Sequence, residues 1–290
     1  MKKYYISIAI VLVTGCAVFM LSDKKLPEIE NTVQAKEQQG TKEENKNEGK
    51  IEKPEMLIGT SEEGKEFSYD AAEVARKLRS YDFYRGEEKT VFLTFDDGAS
   101  TTITPQILKI LKEEEVRATF FVIGDTIEKG GERAKALVRE IFEQGNAIGN
   151  HTYGHNYQYL YPNRTVNVNH FFTDVEKTDK LLKEIIGENF STRVIRCPGG
   201  MMSWKGTKEL DDNFIKNNRV SIDWNALSKD AEGKKKNAAQ LIENVKETSK
   251  DKKMVVLLMH DTYGKEETVK ALPSIIRYFK EQGYQFRTLV

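Results

Sequence analysis

Two adjacent carboxylates, Asp96 and Asp97, close an apolar run in the peptide TFDDG (94–98), and two histidines, His151 and His155, lie four apart in HTYGH (151–155). Asp97 with both imidazoles makes a set of two histidines and one carboxylate. Such a set suits a divalent metal, Zn2+ first and Co2+, Ni2+ or Mn2+ as alternatives, with open positions for water and substrate. The i, i+4 spacing lets both rings face one point if the segment turns helically. An isolated HxxxH is as readily a pair of packed or exposed polar groups. The chain has only four histidines, however, and three fall in peptides of this kind; the fourth, His170, sits in a helical pattern. Adjacent strand residues point to opposite faces, so Asp96 joins Asp97 at one site only where the strand frays. There Asp96 is placed to take the proton of an attacking water. Asp-Asp-Gly is equally a common turn at the start of a loop.

Three further peptides carry polar groups at the ends of apolar runs. In RCPGG (196–200), Arg196 needs a carboxylate partner if it points inward, and Asp96 is the natural one. The Pro198-Gly199-Gly200 turn that follows can aim a backbone N–H at a developing oxyanion. In LLMHD (257–261), His260 is the candidate general acid for a leaving amine or alcohol. In DWNALSKDA (223–231), Asp230 is placed to orient His260 and hold it protonated. Trp204 and Tyr153 are aromatic candidates for contacting a ligand at the mouth of the site, or ordinary packing.

These peptides need elements to bring them together. Strand candidates are Val91–Phe95, Ala118–Ile123, Ala147–Gly149, Val194–Cys197, Arg219–Trp224, Met254–Met259 and Gln285–Leu289. Between them, apolar residues recur at helical spacing: Ile107, Leu108 and Leu111; Ala134, Leu137, Val138, Ile141 and Phe142; Val175, Leu182 and Ile185; Leu241, Ile242 and Val245; Val269, Leu272, Ile276 and Phe279. Pro273 fits the last of these only near its first turns or at a kink. Gly145 and Gly283 stand where helix C-caps fall. Alternating strands and helices predict parallel pairing, as an open doubly wound sheet or as an incompletely closed barrel. A doubly wound sheet binds at one switch point, whereas polar tips spread along nearly the whole chain favour the α/β class with a distorted seven-stranded (β/α) barrel.

The 290 residues carry 45 Lys and Arg against 45 Asp and Glu. This balance lacks the basic footprint of a nucleic-acid binder, so no nucleic-acid partner is expected. Residues 1–22, with Lys2 and Lys3 before an apolar stretch, read as a signal or membrane anchor. The competing readings are a cleaved signal and a lipoprotein signal ending at Cys16, and all of them export the chain. Residues 23–60, rich in Lys, Glu, Gln and Asn, read as a flexible tether. Residues 61–89 read as a helical lead-in, with Ala71, Val74, Ala75 and Leu78 packing on the barrel exterior, and residues 90–290 as the catalytic domain. Cys197 has no partner within the domain, so no internal disulfide forms.

Together the five peptides, in this order, resemble the motifs of the polysaccharide deacetylases, the carbohydrate esterase family that includes chitin and peptidoglycan deacetylases. The resemblance spans about Thr90 to Val290. It implies a distorted (β/α) barrel, a metal held by Asp97, His151 and His155, Asp96 as base paired with Arg196, and His260 as acid. It also implies Leu258 lining the acetyl pocket and the Gly199 N–H on the oxyanion. The chain departs from the pattern at Ala231, where many members have Trp, at Leu227, where aspartate is frequent, and at Cys197, where an aromatic or aliphatic residue is usual. The implied function is metal-dependent N-deacetylation of an envelope amino-sugar polymer, peptidoglycan N-acetylglucosamine first. O-deacetylation of a polysaccharide and an inactive glycan-binding module are the alternatives. The expected protein is a monomer on the extracytoplasmic face of a bacterial membrane, or secreted.

Overall fold

A computed structural model describes residues 55–290. The segment 1–22 and the tether up to residue 54 lie outside the described residues. Among the described residues no helix is long and apolar enough to cross a membrane. The chain is already packed before residue 61: Leu57–Ile58 pairs with Phe190–Ser191, and the buried Thr60 hydroxyl donates to the Asn146 carbonyl.

The central strand is Lys89–Gly98, which pairs in parallel with Met254–His260 on one side and with Thr119–Val122 on the other. Parallel partners continue outward in the order Ala147–Asn150, Val194–Ile195 and Val220–Ser221, and beyond Met254–His260 lies Ala226–Leu227. The two outermost strands are not paired with each other, so this seven-strand path curls as a barrel left open along one seam.

The expected last strand, Gln285–Leu289, divides instead. Tyr284–Phe286 pairs with Lys89–Val91 beside the path, and Thr288–Leu289 pairs with Ser68–Tyr69. The seventh position on the path belongs to Ala226–Leu227, a strand of two residues. It is too short to show a period of two, which is why the sequence pattern passed over it.

Alternation along the central strand builds two cores. Val91, Leu93 and Phe95 join Phe120, Val122, Val255, Leu257 and Met259 against the surrounding helices. Phe92 joins Phe121, Val194, Ile222 and Val256 inside the curl. Both faces of the strand are buried, which explains its nearly continuous apolar run. The longer helices are Thr104–Glu113, Gly124–Glu143, Val168–Ile186, Thr207–Lys216, Ala238–Ser249 and Glu266–Glu281. Their apolar residues fill the outer core, except that Leu210 and Phe214 of Thr207–Lys216 pack with Leu160, Tyr161, Phe171 and Val175 in a third cluster. Gly131, at φ 60°, breaks the second of them into two pieces. Gly145 and Gly283, at φ 73° and 77°, follow the helices ending at Glu143 and Glu281, as C-caps do. Pro273 lies inside its helix rather than in the first turn, forfeiting one backbone hydrogen bond there.

The lead-in supplies the helix Ala71–Arg79, whose Ala71, Val74 and Ala75 are buried with Phe92 and Val220. It therefore contributes to the inner core beside the seam, rather than only covering the outside of the barrel.

Candidate active site

The inward face of the central strand carries Phe92, then Thr94, then Asp96. Met254–His260 runs beside it in a register that places Leu258 opposite Thr94 and His260 opposite Asp96. A polar row thus emerges at the C-terminal ends of two adjacent strands, where a parallel barrel presents its functional groups.

Continued alternation would turn Asp97 outward. The ladder with Thr119–Val122 instead shifts by one residue, Asp96 opposing Phe121 and Gly98 opposing Val122, and Asp97 adopts φ 72°. This bulge re-aims the second carboxylate toward the first one's site. Gly98 is required beside it, because a Cβ there would stand 2.2 Å from the Asp261 Oδ2.

The two histidines converge, but not on a helix. Residues 151–156 form an irregular loop with Thr152 at φ 66° and His155 at φ 47°. Side chains hold that shape: Asp174 Oδ2 accepts from the Tyr153 and Gly154 N–H groups, and Asn150 Oδ1 accepts from the Thr152 N–H. These polar anchors satisfy the backbone where no helix ladder does. The helical turn expected from the spacing is replaced by a loop that reaches the same convergence.

Within the cluster, His151 Nε2 lies 3.5 Å and His155 Nε2 3.6 Å from Asp97 Oδ1, and one ligand atom from each residue falls within 4.8 Å of the others. The His151 Nδ1 lies 2.7 Å from the Arg196 carbonyl, a contact that fixes the ring and leaves Nε2 directed at the cluster. Asp97 Oδ1 is buried without a hydrogen-bond partner. An orphaned carboxylate oxygen facing two imidazole nitrogens fits a divalent cation.

The electrostatics agree. Burial alone would raise the Asp97 carboxyl, but the neighbouring imidazole of His151, then those of His155 and His260, hold it well below the usual range. Burial, then His151, pushes His155 down to about 4. Burial works to lower His151, and the Asp96 and Asp97 carboxylates outweigh it and raise it. A cation in the cluster would take the place of that proton.

Asp96 stands outside this candidate ligand set. Its Oδ1 accepts from Arg196 Nη1 at 2.8 Å, and its Oδ2 lies 3.7 Å from His151 Nε2. Arg196 is wholly buried, and its guanidinium also reaches Thr94 Oγ1 at 2.7 Å, the Ile222 carbonyl at 3.0 Å and the Asp223 carbonyl at 3.4 Å, with the Phe121 ring 4.1 Å away. So many acceptors offset the cost of burying the charge.

His260 Nδ1 contacts Asp230 Oδ1 at 2.8 Å, while Asp230 Oδ2 accepts from the His260 N–H and from Thr268 Oγ1. Burial would lower His260, but the Asp230 hydrogen bond and charge, with Asp96 and Asp97 behind them, push it up to about 9.

Gly199, at φ 76°, stands where a Cβ would meet the Trp204 ring at 3.1 Å and the Tyr157 hydroxyl at 3.4 Å. Trp204 donates Nε1–H to the Pro198 carbonyl and stacks on Tyr161 at 4.0 Å, so it braces this turn. Leu258 is buried on the strand that carries His260. Tyr153 is engaged elsewhere: its hydroxyl bonds Glu128 and Lys177 Nζ sits 3.2 Å over its ring. A face covered in that way is not free to stack on a sugar. Cys197 is buried against Met201 Sδ and Ser221 Oγ, and burial, then Asp223, pushes its thiol up, which disfavours the thiolate.

Three residues near the chemistry escaped the sequence reading. Thr94 holds Arg196; its signal is a polar residue inside an apolar strand, two before Asp96. Asp261, fully buried under Gly98, accepts from Thr104 Oγ1 at 2.6 Å and is raised by burial, above all, to about 7. Tyr157 packs its ring 5.2 Å from that of His155; its position two residues past a candidate ligand was the available signal.

Residues 84–212 match the family model described as polysaccharide deacetylase. Over 205 residues, 69% of this chain and 69% of the relative, the sequence is 32% identical to a peptidoglycan-N-acetylglucosamine deacetylase of Bacillus cereus. Among solved structures, a Streptococcus mutans CE4 esterase is similar at a TM-score of 0.74 and 34% identity, over 81% of this chain and 98% of that one. A mutant of BA3943, described as a CE4 family pseudoenzyme with restored enzymatic activity, is 26% identical at a TM-score of 0.57, over 70% of this chain and 67% of that one. Membership therefore does not by itself establish turnover, which depends on the side chains described above. The sequence shared over two thirds of the chain and the fold shared around those side chains lead to one conclusion: this chain belongs to the polysaccharide deacetylase family.

Proposed function

We propose that this protein is a metal-dependent hydrolase that removes N-acetyl groups from amino sugars of an envelope polysaccharide, with peptidoglycan N-acetylglucosamine as its substrate. Asp97, His151 and His155 would hold the ion. When bound, a divalent ion supplies Lewis-acid polarisation of water and of the acyl oxygen.

The chain's own groups then divide the work. Asp96, oriented by Arg196, accepts the proton of the water that attacks the acetyl carbonyl. The Gly199 N–H donates to the oxygen that gains charge, and Leu258 packs against the acetyl methyl. His260, oriented by Asp230, gives its proton to the leaving nitrogen as the C–N bond breaks. Amide and water become acetate and a free amine.

The observation that carries this reading is Asp96. It is buried and clamped through Oδ1, its Oδ2 is turned toward the His151 ring, and it is not among the three ligands. A spare carboxylate at the rim of a cation site is what water activation needs. The Bacillus cereus relative supports the amino sugar, and the basic-then-apolar N-terminal segment supports an extracytoplasmic location.

The test uses the zinc-supplied full chain with N-acetylglucosamine oligomers and with cell-wall fragments, scoring acetate and free amine together. Equal release of both is expected. Acetate without amine would reassign the activity to O-deacetylation, and neither product would favour a glycan-binding module. Asp96→Asn should lower the rate by about 10²–10⁴-fold with metal content unchanged. Full activity in that variant would remove Asp96 as the base.

A further inference from the structure

Tyr157 stands at this site without a part in the chemistry above. Its ring lies between the metal-ligand candidate His155 and Trp204, with 5.2 Å between ring centroids on each side. Its hydroxyl points to the Gly199 turn, 3.4 Å from where a Cβ would stand at that residue. A side chain at Gly199 would press on both the Trp204 edge and the Tyr157 hydroxyl, so the glycine lets that hydroxyl come close to the turn.

The ring is held from several directions. Tyr157 opens the short helix Tyr157–Leu160, where Asn156 Oδ1 accepts from the Gln158 and Tyr159 N–H groups and the Tyr157 carbonyl accepts from the Tyr161 N–H. Trp204, which supports the ring, is itself stacked on Tyr161 and bonded to Pro198. The hydroxyl has no hydrogen-bond partner among the described residues, and Tyr157 is 45% exposed. Packing would be served equally by phenylalanine. A solvent-facing hydroxyl on a ring fixed by packing, beside a backbone N–H assigned to a developing charge, is placed to donate there.

We propose that the Tyr157 hydroxyl is a second donor, beside the Gly199 N–H, to the acyl oxygen of the substrate as its carbonyl becomes tetrahedral. Tyr157 keeps its proton throughout; the amine receives its own from His260. The inference rests on the deacetylase reading of the site and adds a substrate-contacting residue to it.

Tyr157→Phe and Tyr157→Ala in the zinc-loaded full chain provide the test, with two independent readouts. On an N-acetylglucosamine oligomer, Tyr157→Phe should lower kcat by about 10²-fold, the usual effect of losing one such donor, with KM nearly unchanged and metal content intact. Calorimetric titration with acetate, whose carboxylate presents a similar oxygen, should show weaker binding to Tyr157→Phe than to the wild type. Tyr157→Ala should show at least the same losses. Wild-type kcat in Tyr157→Phe would overturn the proposal. So would an effect confined to KM, which would assign the hydroxyl to a sugar group, or a loss of activity that follows loss of metal. If the wild type releases no acetate, the deacetylase reading fails; equal acetate affinity of wild type and Tyr157→Phe would then overturn the Tyr157 inference separately.

Discussion

His260 and Asp230 show how one side chain sets the proton occupancy of another. The Asp230 hydrogen bond and charge raise His260 against the opposing effect of burial, to about 9. The protonated form, the one able to donate to a leaving amine, is therefore populated below that value and lost as pH rises through it. Asp230→Asn removes the Asp230 charge and weakens its hydrogen bond, leaving burial, which lowers, opposed mainly by the Asp96 and Asp97 charges. The alkaline limb of kcat/KM should move to lower pH in this variant, as a pH–rate profile will show; an unmoved limb would separate Asp230 from the acid. At this scale the sequence was informative because residue type carries the chemistry. Three of four histidines lay in strand-end peptides, and all three are at the site. It was less informative about aromatics, since a ring that packs and one that meets a ligand have the same composition. Tyr153 is covered by Lys177, whereas Tyr157, two residues past His155, is open to solvent.

The bulge at Asp97 is the device on which the central strand's function depends. Period-two alternation delivers Asp96 inward, and one inserted residue brings Asp97 to the same place. Gly98 makes this geometry possible, because the Asp261 carboxyl occupies the space a side chain would need. Gly98→Ala should destabilise the protein by about 1–3 kcal/mol, read as a lower urea midpoint, and should weaken metal retention by displacing Asp97. A variant with unchanged stability and metal content would show that this strand end relaxes freely. The strand's existence was legible from its apolar run, but the bulge was not. Nothing local distinguishes Asp-Asp-Gly at a bulge from the same triplet in a turn; the register of the neighbouring strand decides. The HTYGH loop is similar, since its course is set by Asp174, a residue of the helix Val168–Ile186 that lies well beyond the loop in sequence.

For the whole molecule, the lead-in is part of the fold rather than a preface to it. Ala71, Val74 and Ala75 close the inner core beside the open seam, and Ser68–Tyr69 pairs with the C-terminal Thr288–Leu289. A chain starting at Tyr81 should lose at least about 3 kcal/mol relative to one starting at Lys53, from the apolar side chains it uncovers. That corresponds to a thermal midpoint lower by roughly 6–12 °C for a domain of this size, measured by calorimetry; equal midpoints would show that the helix Ala71–Arg79 is dispensable. By itself, the sequence determined the α/β class, the parallel pairing and the identity of the cation-binding candidates. Hydrophobic period and side-chain chemistry are local properties, carried by each segment wherever it folds. Only the tertiary structure decided which strands close the curl, where the seam opens, that Asp97 turns inward, and that Tyr157 rather than Tyr153 stands at the site. Those outcomes depend on register and packing between segments far apart in the chain, which no single stretch of residues encodes.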